Sequence, residues 1–106
     1  LCAGTLLRLA REHRWAVHVA TMTAGDCGSA EHPPDEIARI RRAEGAAACA
    51  AVGLTYHCLE ERDLRVVFGE RPIEKVCRLL NEVRPAVVFT HSPEDYHLDH
   101  EQTSIL

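Results

Sequence analysis

The chain has 106 residues, of which 46% are hydrophobic and 26% are charged, and its formal net charge is −4. This length accommodates one small hydrophobic core, so we expect a single domain or a piece of one. No apolar run approaches the roughly 20 residues of a membrane-spanning helix, and the negative charge opposes an extended phosphate-binding surface, so a membrane span is excluded and nucleic acid is not an expected partner.

The first two predicted elements are a helix and a strand. Residues 2–12 combine an apolar stripe of leucines with arginines and a glutamate, a pattern typical of an amphipathic helix. Residues 15–22 alternate Trp15, Val17 and Val19 with smaller or polar side chains, which predicts a strand. Residues 23–34 contain two glycines and two prolines, so we expect a long loop after this strand.

A second helix and a second strand follow that loop. Isoleucines and alanines recur at steps of three and four over residues 36–52, which predicts a helix. Asp35 is placed to cap its N-terminus, and Gly53 is placed to end it. Residues 54–59 then form a short predicted strand.

The second half of the chain continues the alternation. A helix starting near Pro72 has an apolar face made of Ile73, Val76, Cys77, Leu80 and Val83. Residues 86–90 (AVVFT) follow as a third predicted strand. The alternation predicts an α/β fold with a parallel sheet and helices on both faces. Because ligands bind beyond the carboxyl ends of such strands, the loops after Met22 and Thr90 are the expected site.

Histidines and aspartates are concentrated directly after the third predicted strand. The twelve residues THSPEDYHLDHE, numbered 90–101, contain three histidines and two aspartates. His97 and His100 are three residues apart, so a helix starting near Asp99 would direct both imidazoles into one cavity, where a metal ion fits. Two other interpretations stay open: Asp99 with Gln102 forms a capping box, and a histidine that ends a strand, such as His91, also serves to hydrogen-bond a loop.

Four motifs together resemble the LmbE/PIG-L family of metal-dependent deacetylases. They are GTLLRLA near the start, T-x-T-A-G-D-x-G-S after the first strand, E-I-x-x-I-R-x-x-E in the second helix, and R-P-x-V-V-F-T-H-S-P-x-D-Y-H-x-D-H around the third strand. The resemblance implies a Rossmann-like three-layer sandwich with a mainly parallel sheet. It also implies that zinc, or another divalent metal, assists removal of an N-acetyl group from an amino-sugar conjugate of the N-acetylglucosamine type.

The resemblance further implies roles for individual residues. The last histidine of H-x-D-H binds the metal, which is His100 here. The first, His97, acts as an acid or stabilises the oxyanion, and Asp99 orients and charges that histidine. Three residues are expected on the substrate side, with Arg41 contacting the sugar: Arg41, Asp95 and His91. From the sequence alone, Arg41 also fits a solvated, salt-bridged helix face beside Glu44.

One part of the family pattern is absent from this sequence. The family's A-H-P-D-D motif, which carries the other two metal ligands and an aspartate base, precedes a segment that resembles residues 1–10. We therefore expect one LmbE-like domain over residues 1–106, truncated at both ends, with an incomplete catalytic set. The segment AEHPPDE (30–36) is only superficially similar, because it lies between a glycine-rich loop and a helix, so His32 and Asp35 are expected as loop and cap residues.

The cysteines predict a reduced, cytoplasmic protein. There are five, with no C-x-x-C pair and no signal peptide in the sequence. Cys49 and Cys77 fall within apolar helical patterns, where cysteine usually belongs to the core. Cys27, between an aspartate and a glycine, is expected to be exposed.

The sequence leaves open two functions from other classes. Residues 25–29 (GDCGS) precede a helix and offer backbone amides near Gly28 to the phosphate of a nucleotide, although G-x-G-x-x-G and a P-loop lysine are both missing. A non-catalytic relative, either an assembly subunit or a Rossmann-like binding module, would keep the fold without the metal ligands. The family resemblance implies, in addition, a small amino-sugar substrate as the partner and a homo-oligomer, a trimer or a hexamer.

Overall fold

Helices and strands alternate along the chain, largely as the sequence predicts. The computed structural model describes residues 2–106. Its elements are α1 (Ala3–Arg11), β1 (His18–Thr23), α2 (Pro34–Ala51), β2 (Thr55–Glu61), α3 (Glu70–Val83) and α4 (Leu98–Ile105). The first five overlap their predicted ranges, and the sixth begins in the H-x-D-H segment.

Strands β1 and β2 form a parallel pair. The register runs from His18 opposite Thr55 to Thr21 opposite Cys58, and it shifts before the end of the pair. A parallel pair needs a long crossover, and α2 is the helix between these two strands. The carboxyl ends of both strands consequently lie side by side.

Helices α2 and α3 contact β2 through different side chains. Tyr56 lies against Gly45 of α2. Lys75 of α3 forms an ion pair with Glu61 at the far end of the strand. Two helices that contact different side chains of one strand are typical of a sheet covered on both faces, and the predicted α/β fold is confirmed.

The buried core gathers near the carboxyl ends of the strands. Ala24 directly after β1, Ile37 and Ala38 in the first turn of α2, and Val66 in the loop after β2 are all buried. Ala24 and Ala38 line one cavity, and the Asp63 amide donates to Asp26, so the start of α2 and the two loops after the strands lie close together. Side chains on those loops are therefore held in place by the core.

The predicted strand over residues 86–90 is wrong as a sheet strand. In residues 2–106 the sheet has two strands, and this segment is in neither. Val87, Val88 and Phe89 are 50%, 61% and 52% exposed. The β-branched pattern favours a strand, but a strand is formed only by hydrogen bonds to a neighbour, and no other strand of the described chain lies beside this segment.

The helix ends correct one expectation and confirm two. Asp35 does not cap α2, because Pro33 occupies the N-cap position and Asp35 lies in the first turn. Helix α3 begins at Glu70, so Pro72 lies in its first turn. The main-chain N–H groups of a first turn have no partner within the helix, so a proline there removes no helical hydrogen bond. Gly53 follows the end of α2 with a φ of +77°, a conformation that glycine adopts without strain.

The cysteines divide between core and surface. Cys49 is buried and Cys27 is exposed, as predicted, but Cys77 is exposed. The helical period around Cys77 predicts an apolar face, and part of that face, including Leu80 at 39% exposure, is uncovered in the described chain. Cys77 therefore does not belong to the core of residues 2–106.

No helix within residues 2–106 has both the length and the apolar character needed to cross a bilayer.

Gly45 tests the contact between α2 and the sheet. A Cβ at this position would lie 2.8 Å from Cζ of Tyr56, whereas one at Gly4 in α1 would meet nothing within 4 Å. We expect Gly45→Ala to lower the free energy of unfolding by about 1–3 kcal/mol, since overpacking outweighs the better helix propensity of alanine. The control, Gly4→Ala, should be neutral or stabilising by up to about 1 kcal/mol. Urea unfolding of both variants measures this, and equal stability of the two would contradict the contact.

Candidate active site

A cleft of about 350 Å³ opens beyond the carboxyl ends of β1 and β2. This volume lies within the range of small-molecule sites, and the position is the one expected for an α/β sheet. The walls come from the end of β1, the loops after both strands, and the start of α4. The lining residues are Thr23, Cys27, Gly28, Asp63, Leu64, His97, Asp99 and His100.

His97 caps α4 and lines the cleft. Its Nδ1 accepts a hydrogen bond from the main-chain amide of Asp99 at 3.2 Å. The expected cap, Asp99, is instead the second residue of the helix. Because Nδ1 is the acceptor, the ring proton of His97 is on Nε2, so this imidazole is neutral while the cap is intact.

Asp99 holds the loop after β2 rather than the imidazole of His97. Its carboxylate accepts the amide of Leu64 at 2.7 Å and the amide of Val66 at 3.2 Å. The residue is only 7% exposed. We expected this side chain to orient His97, but the contact between the two residues runs through the Asp99 main chain, and the carboxylate positions a wall of the cleft.

A second side chain of α4 holds the same loop. Gln102 accepts the amide of Phe68 through Oε1 at 2.9 Å. Asp99 and Gln102 are three residues apart, so both side chains lie on one face of the helix. The sequence suggested a capping box for this pair, and the structure uses both side chains to bind a neighbouring loop.

His100 lies at the centre of a compact group of rings and a carboxylate. Its ring stacks on His91 with centroids 4.0 Å apart and planes at 4°, and on His97 with centroids 4.5 Å apart and planes at 20°. Its Nδ1 lies 3.2 Å from Oδ2 of Asp95. The other oxygen of Asp95, Oδ1, accepts the amide of His97 at 2.9 Å.

The charges of this group influence two pKa values. The hydrogen bond from the His97 amide, together with the contact to His100, lowers the pKa of the Asp95 carboxyl, which keeps it ionised. Burial, followed by the nearby His100, lowers the pKa of His91. A neutral His91 beside His100 therefore carries no competing positive charge at neutral pH.

The same group has the donor atoms of a transition-metal site. His91, Asp95 and His100 each offer one ligand atom, and these atoms lie within 4.8 Å of one another. Imidazole nitrogen and carboxylate oxygen suit zinc and also iron, cobalt or manganese. The group therefore has donor atoms that a divalent cation at this end of the cleft would use, among them an imidazole nitrogen of His100.

Arg41 lies behind the cleft wall and does not line it. Its side chain packs on the loop after β1. A Cβ added to Gly25 would lie 3.0 Å from Cγ of Arg41, and a Cβ added to Gly28 would lie 3.9 Å from its Nε. Its guanidinium forms an ion pair with Glu44 at 2.7 Å. The structure thus brings five of the six predicted site residues together and leaves Arg41 one layer away, next to the glycine that does line the cleft.

Five lining residues are not among the predicted site residues: Thr23, Cys27, Gly28, Asp63 and Leu64. Cys27 and Asp63 are joined by a hydrogen bond, in which the Cys27 amide donates to the Asp63 carboxylate at 2.9 Å, and the Asp63 amide donates to Asp26 at 2.8 Å. Applying the strand-end rule to β2 as well as to β1 would have found the loop that contains Asp63 and Leu64.

The glycine-rich loop does not have the geometry of a phosphate site. The amide of Cys27 already binds a carboxylate of the protein itself, Asp63. Helix α2 starts only at Pro34, after Pro33 at its N-cap, so proline replaces amide donors at that terminus. These observations weigh against the nucleotide-binding alternative.

Two other features lie outside the cleft. His32 is exposed and pairs with Glu36 at 3.4 Å, in agreement with its interpretation as a loop residue. A second cavity of about 240 Å³ lies between α2 and the end of β2 and includes Asp26, Arg42 and Glu60 in its lining. Arg42 and Glu60 neutralise each other as an ion pair, and no histidine or cysteine lines this cavity.

The chain is similar to known proteins both in sequence and in structure. The PIG-L family model, described as GlcNAc-PI de-N-acetylase, matches residues 1–106. A crystal structure of GalB, the 4-carboxy-2-hydroxymuconate hydratase from Pseudomonas putida KT2440, superposes with a TM-score of 0.84 at 23% sequence identity. The alignment covers 97% of this chain and 46% of that one, so this chain spans just under half its length. A search of curated proteins finds no match.

Asp99→Asn tests the hold of α4 on the loop after β2. An asparagine has one acceptor oxygen where the carboxylate has two, so at least one bond to the Leu64 or Val66 amide is lost. Since hydrogen bonds to a charged group contribute about 1.5–3 kcal/mol each, we expect a loss of that size in unfolding free energy.

The matched control is Asp35→Asn, because the Asp35 side chain is 97% exposed. It should change stability by no more than about 0.5 kcal/mol. Chemical denaturation of both variants gives the comparison. If Asp99→Asn were as mild as the control, the loop would not depend on this carboxylate.

Proposed function

The chain belongs to the PIG-L family, and on this basis we propose that it forms part of a metal-dependent hydrolase that removes an N-acetyl group from an amino-sugar conjugate. One observation carries the proposal: His97 and His100 line a cleft beyond the strand ends, and Asp95 contacts both of them, which supports a cation and a small substrate bound side by side. Zinc is the cation we expect at this site.

The donor atoms of this group suit an amide hydrolase. A divalent cation bound there with an open coordination position would supply the Lewis acidity that polarises an amide carbonyl. His100 is the residue of this chain that would hold it, because its Nε2 is free while Nδ1 faces Asp95. The cleft would place the acetamido group of the sugar beside this nitrogen.

His97 would stabilise the oxygen anion that develops when the amide is attacked. With Nδ1 held by the Asp99 amide, the proton on Nε2 is the one available to the cleft. A neutral N–H donor fixed before the substrate arrives lowers the barrier, since it needs no rearrangement as charge develops. The family resemblance implies a His97 that is charged by Asp99, but the cap and the loop contacts of Asp99 favour the neutral form.

The loop residues opposite the histidines would bind the sugar. Asp63 and the Thr23 hydroxyl offer oxygen atoms of the kind that accept hydrogen bonds from sugar hydroxyls, and Leu64 offers an apolar surface. Arg41 would act on the substrate only through Gly28 or after leaving Glu44. The identity of the conjugate is carried by such contacts, so N-acetylglucosamine is proposed on family membership and not on any single residue.

His100→Ala tests the metal assignment. We expect the natural full-length protein to bind one zinc per site, and this variant to lose both the metal and the deacetylase activity, because the metal ligand that this chain contributes is removed. Metal content after dialysis and release of acetate from an N-acetylglucosamine conjugate are the two measurements. The control, His32→Ala, removes an exposed histidine outside the cleft and should leave both unchanged.

A His100→Ala variant that retained zinc and turnover would contradict the proposal. A full-length protein that bound no divalent metal in either form would identify a non-catalytic relative, the remaining alternative.

His97→Asn separates capping from catalysis. Asparagine is a good N-cap, so α4 and the Asp99 amide keep an acceptor, but no group replaces the Nε2 donor in the cleft. We expect stability and metal content near those of the wild type, with kcat reduced by about 10²–10³-fold. Single-turnover kinetics with saturating substrate measures this. Loss of metal in this variant would instead make His97 a ligand.

A further inference from the structure

We propose that Asp95 is a positioning residue for the metal-binding imidazole: its carboxylate holds Nδ1–H of His100, so that Nε2 is the atom presented to the cation. The inference rests on the proposed function, because it takes His100 as a metal ligand. It replaces the expectation that Asp95 contacts the substrate, and it also separates His91 from the set of ligands.

The orientation of the Asp95 carboxylate is fixed by the main chain. Oδ1 accepts the amide of His97 at 2.9 Å, and the Asp95 side chain is only 16% exposed. This bond ties the carboxylate to the residue that caps α4. The second oxygen, Oδ2, is consequently held at a fixed point relative to the first turn of that helix, where His100 emerges.

That second oxygen sets the tautomer of His100. Oδ2 lies 3.2 Å from Nδ1, and an ionised carboxylate only accepts hydrogen bonds, so Nδ1 carries the proton. Nε2 then has a free lone pair. A ligating histidine usually donates its other N–H to a carboxylate or carbonyl, which fixes the ring and raises its basicity. Asp95 and His100 have this geometry.

His91 is close enough to be a ligand, but its ring has the wrong orientation. The His91 and His100 planes are nearly parallel, at 4°, with centroids 4.0 Å apart. The lone pair of an imidazole lies in the plane of the ring, so two stacked rings direct their lone pairs side by side. Two nitrogens that share one ion at about 2.0–2.1 Å must instead point to a common centre. His91 therefore packs on the ligand without joining it.

The direct test is the tautomer of His100 in the metal-free, full-length protein. Nitrogen-15 spectra of the histidine rings distinguish Nδ1–H from Nε2–H imidazoles. We expect Nδ1–H for His100 in the wild type, and a mixture or the opposite tautomer in Asp95→Asn, where the amide NH₂ group replaces one accepting oxygen. A wild-type His100 in the Nε2–H form would overturn the proposal.

Zinc affinity gives the second, independent readout. Isothermal titration of the full-length protein with zinc should show about 10–100-fold weaker binding for Asp95→Asn, the loss typical when the partner of a ligating histidine is removed. Glu94→Gln is the matched control, because it removes the same charge from the neighbouring exposed residue and should change the affinity by less than about threefold. Melting of the metal-free proteins checks that Asp95→Asn is folded.

The remaining variants separate the failure of this proposal from failure of the function. His91→Ala should bind zinc within about threefold of the wild type, and a loss as large as that of His100→Ala would make it a ligand and overturn the ring argument. If His100→Ala loses zinc but Asp95→Asn binds it as the wild type does, Asp95 is not the positioning residue and the hydrolase proposal stands. If His100→Ala binds zinc normally, both fail.

Discussion

The buried carboxylate of Asp99 is the contact on which the arrangement of the cleft depends. Its two oxygens accept amides from Leu64 and Val66, two residues apart in the loop after β2, and it emerges from the first turn of α4. A buried charged acceptor is stable only when its hydrogen bonds are satisfied, so helix and loop are constrained to one relative position. In this position the loop and the two histidines of the same turn of α4 line one cleft.

The first turn of α4 thus serves two purposes with alternating residues. His97 and His100 line the cleft, while Asp99 between them binds the loop through its side chain and His97 through its amide. Asp95, just before the helix, binds the same turn through His97 and His100. The side chains of Asp95, His97 and His100 and the main-chain amide of Asp99 fix one another's positions, which is the kind of rigid arrangement that catalysis by preorganised groups requires.

The sequence predicted the fold class because its apolar periods are regular. Helices and strands up to α3 appear near their predicted positions, and Gly53 ends α2 as its backbone freedom suggests. The segment 86–90 shows the limit of such reasoning, since its composition is that of a strand but pairing depends on a neighbouring chain segment that no local pattern specifies. Cys77 was misplaced for a related reason, because a helical stripe predicts an apolar face but not what covers it.

The candidate site was predictable in position and residue types, but not in its hydrogen bonds. The density of histidine after a predicted strand identified His97 and His100, and the structure places both at one cleft. The contacts of Asp99 could not be predicted, because its partners are backbone amides of a loop more than thirty residues earlier, which carry no signal in the sequence. The cap of α4 was predicted at Asp99 and is His97 in the structure, a residue type less often found at an N-cap.

The similarity to a hydratase structure shows what the fold can and cannot decide. A TM-score of 0.84 at 23% identity establishes a shared backbone arrangement, and related folds host different reactions. The reaction must then be decided by atoms in the cleft. Here those atoms are an imidazole with a free Nε2 held by a carboxylate, and a second imidazole whose N–H is fixed by a helix cap. One nitrogen accepts and the other donates, so the pair can bind a cation and an oxygen anion side by side, which is the combination that amide hydrolysis needs.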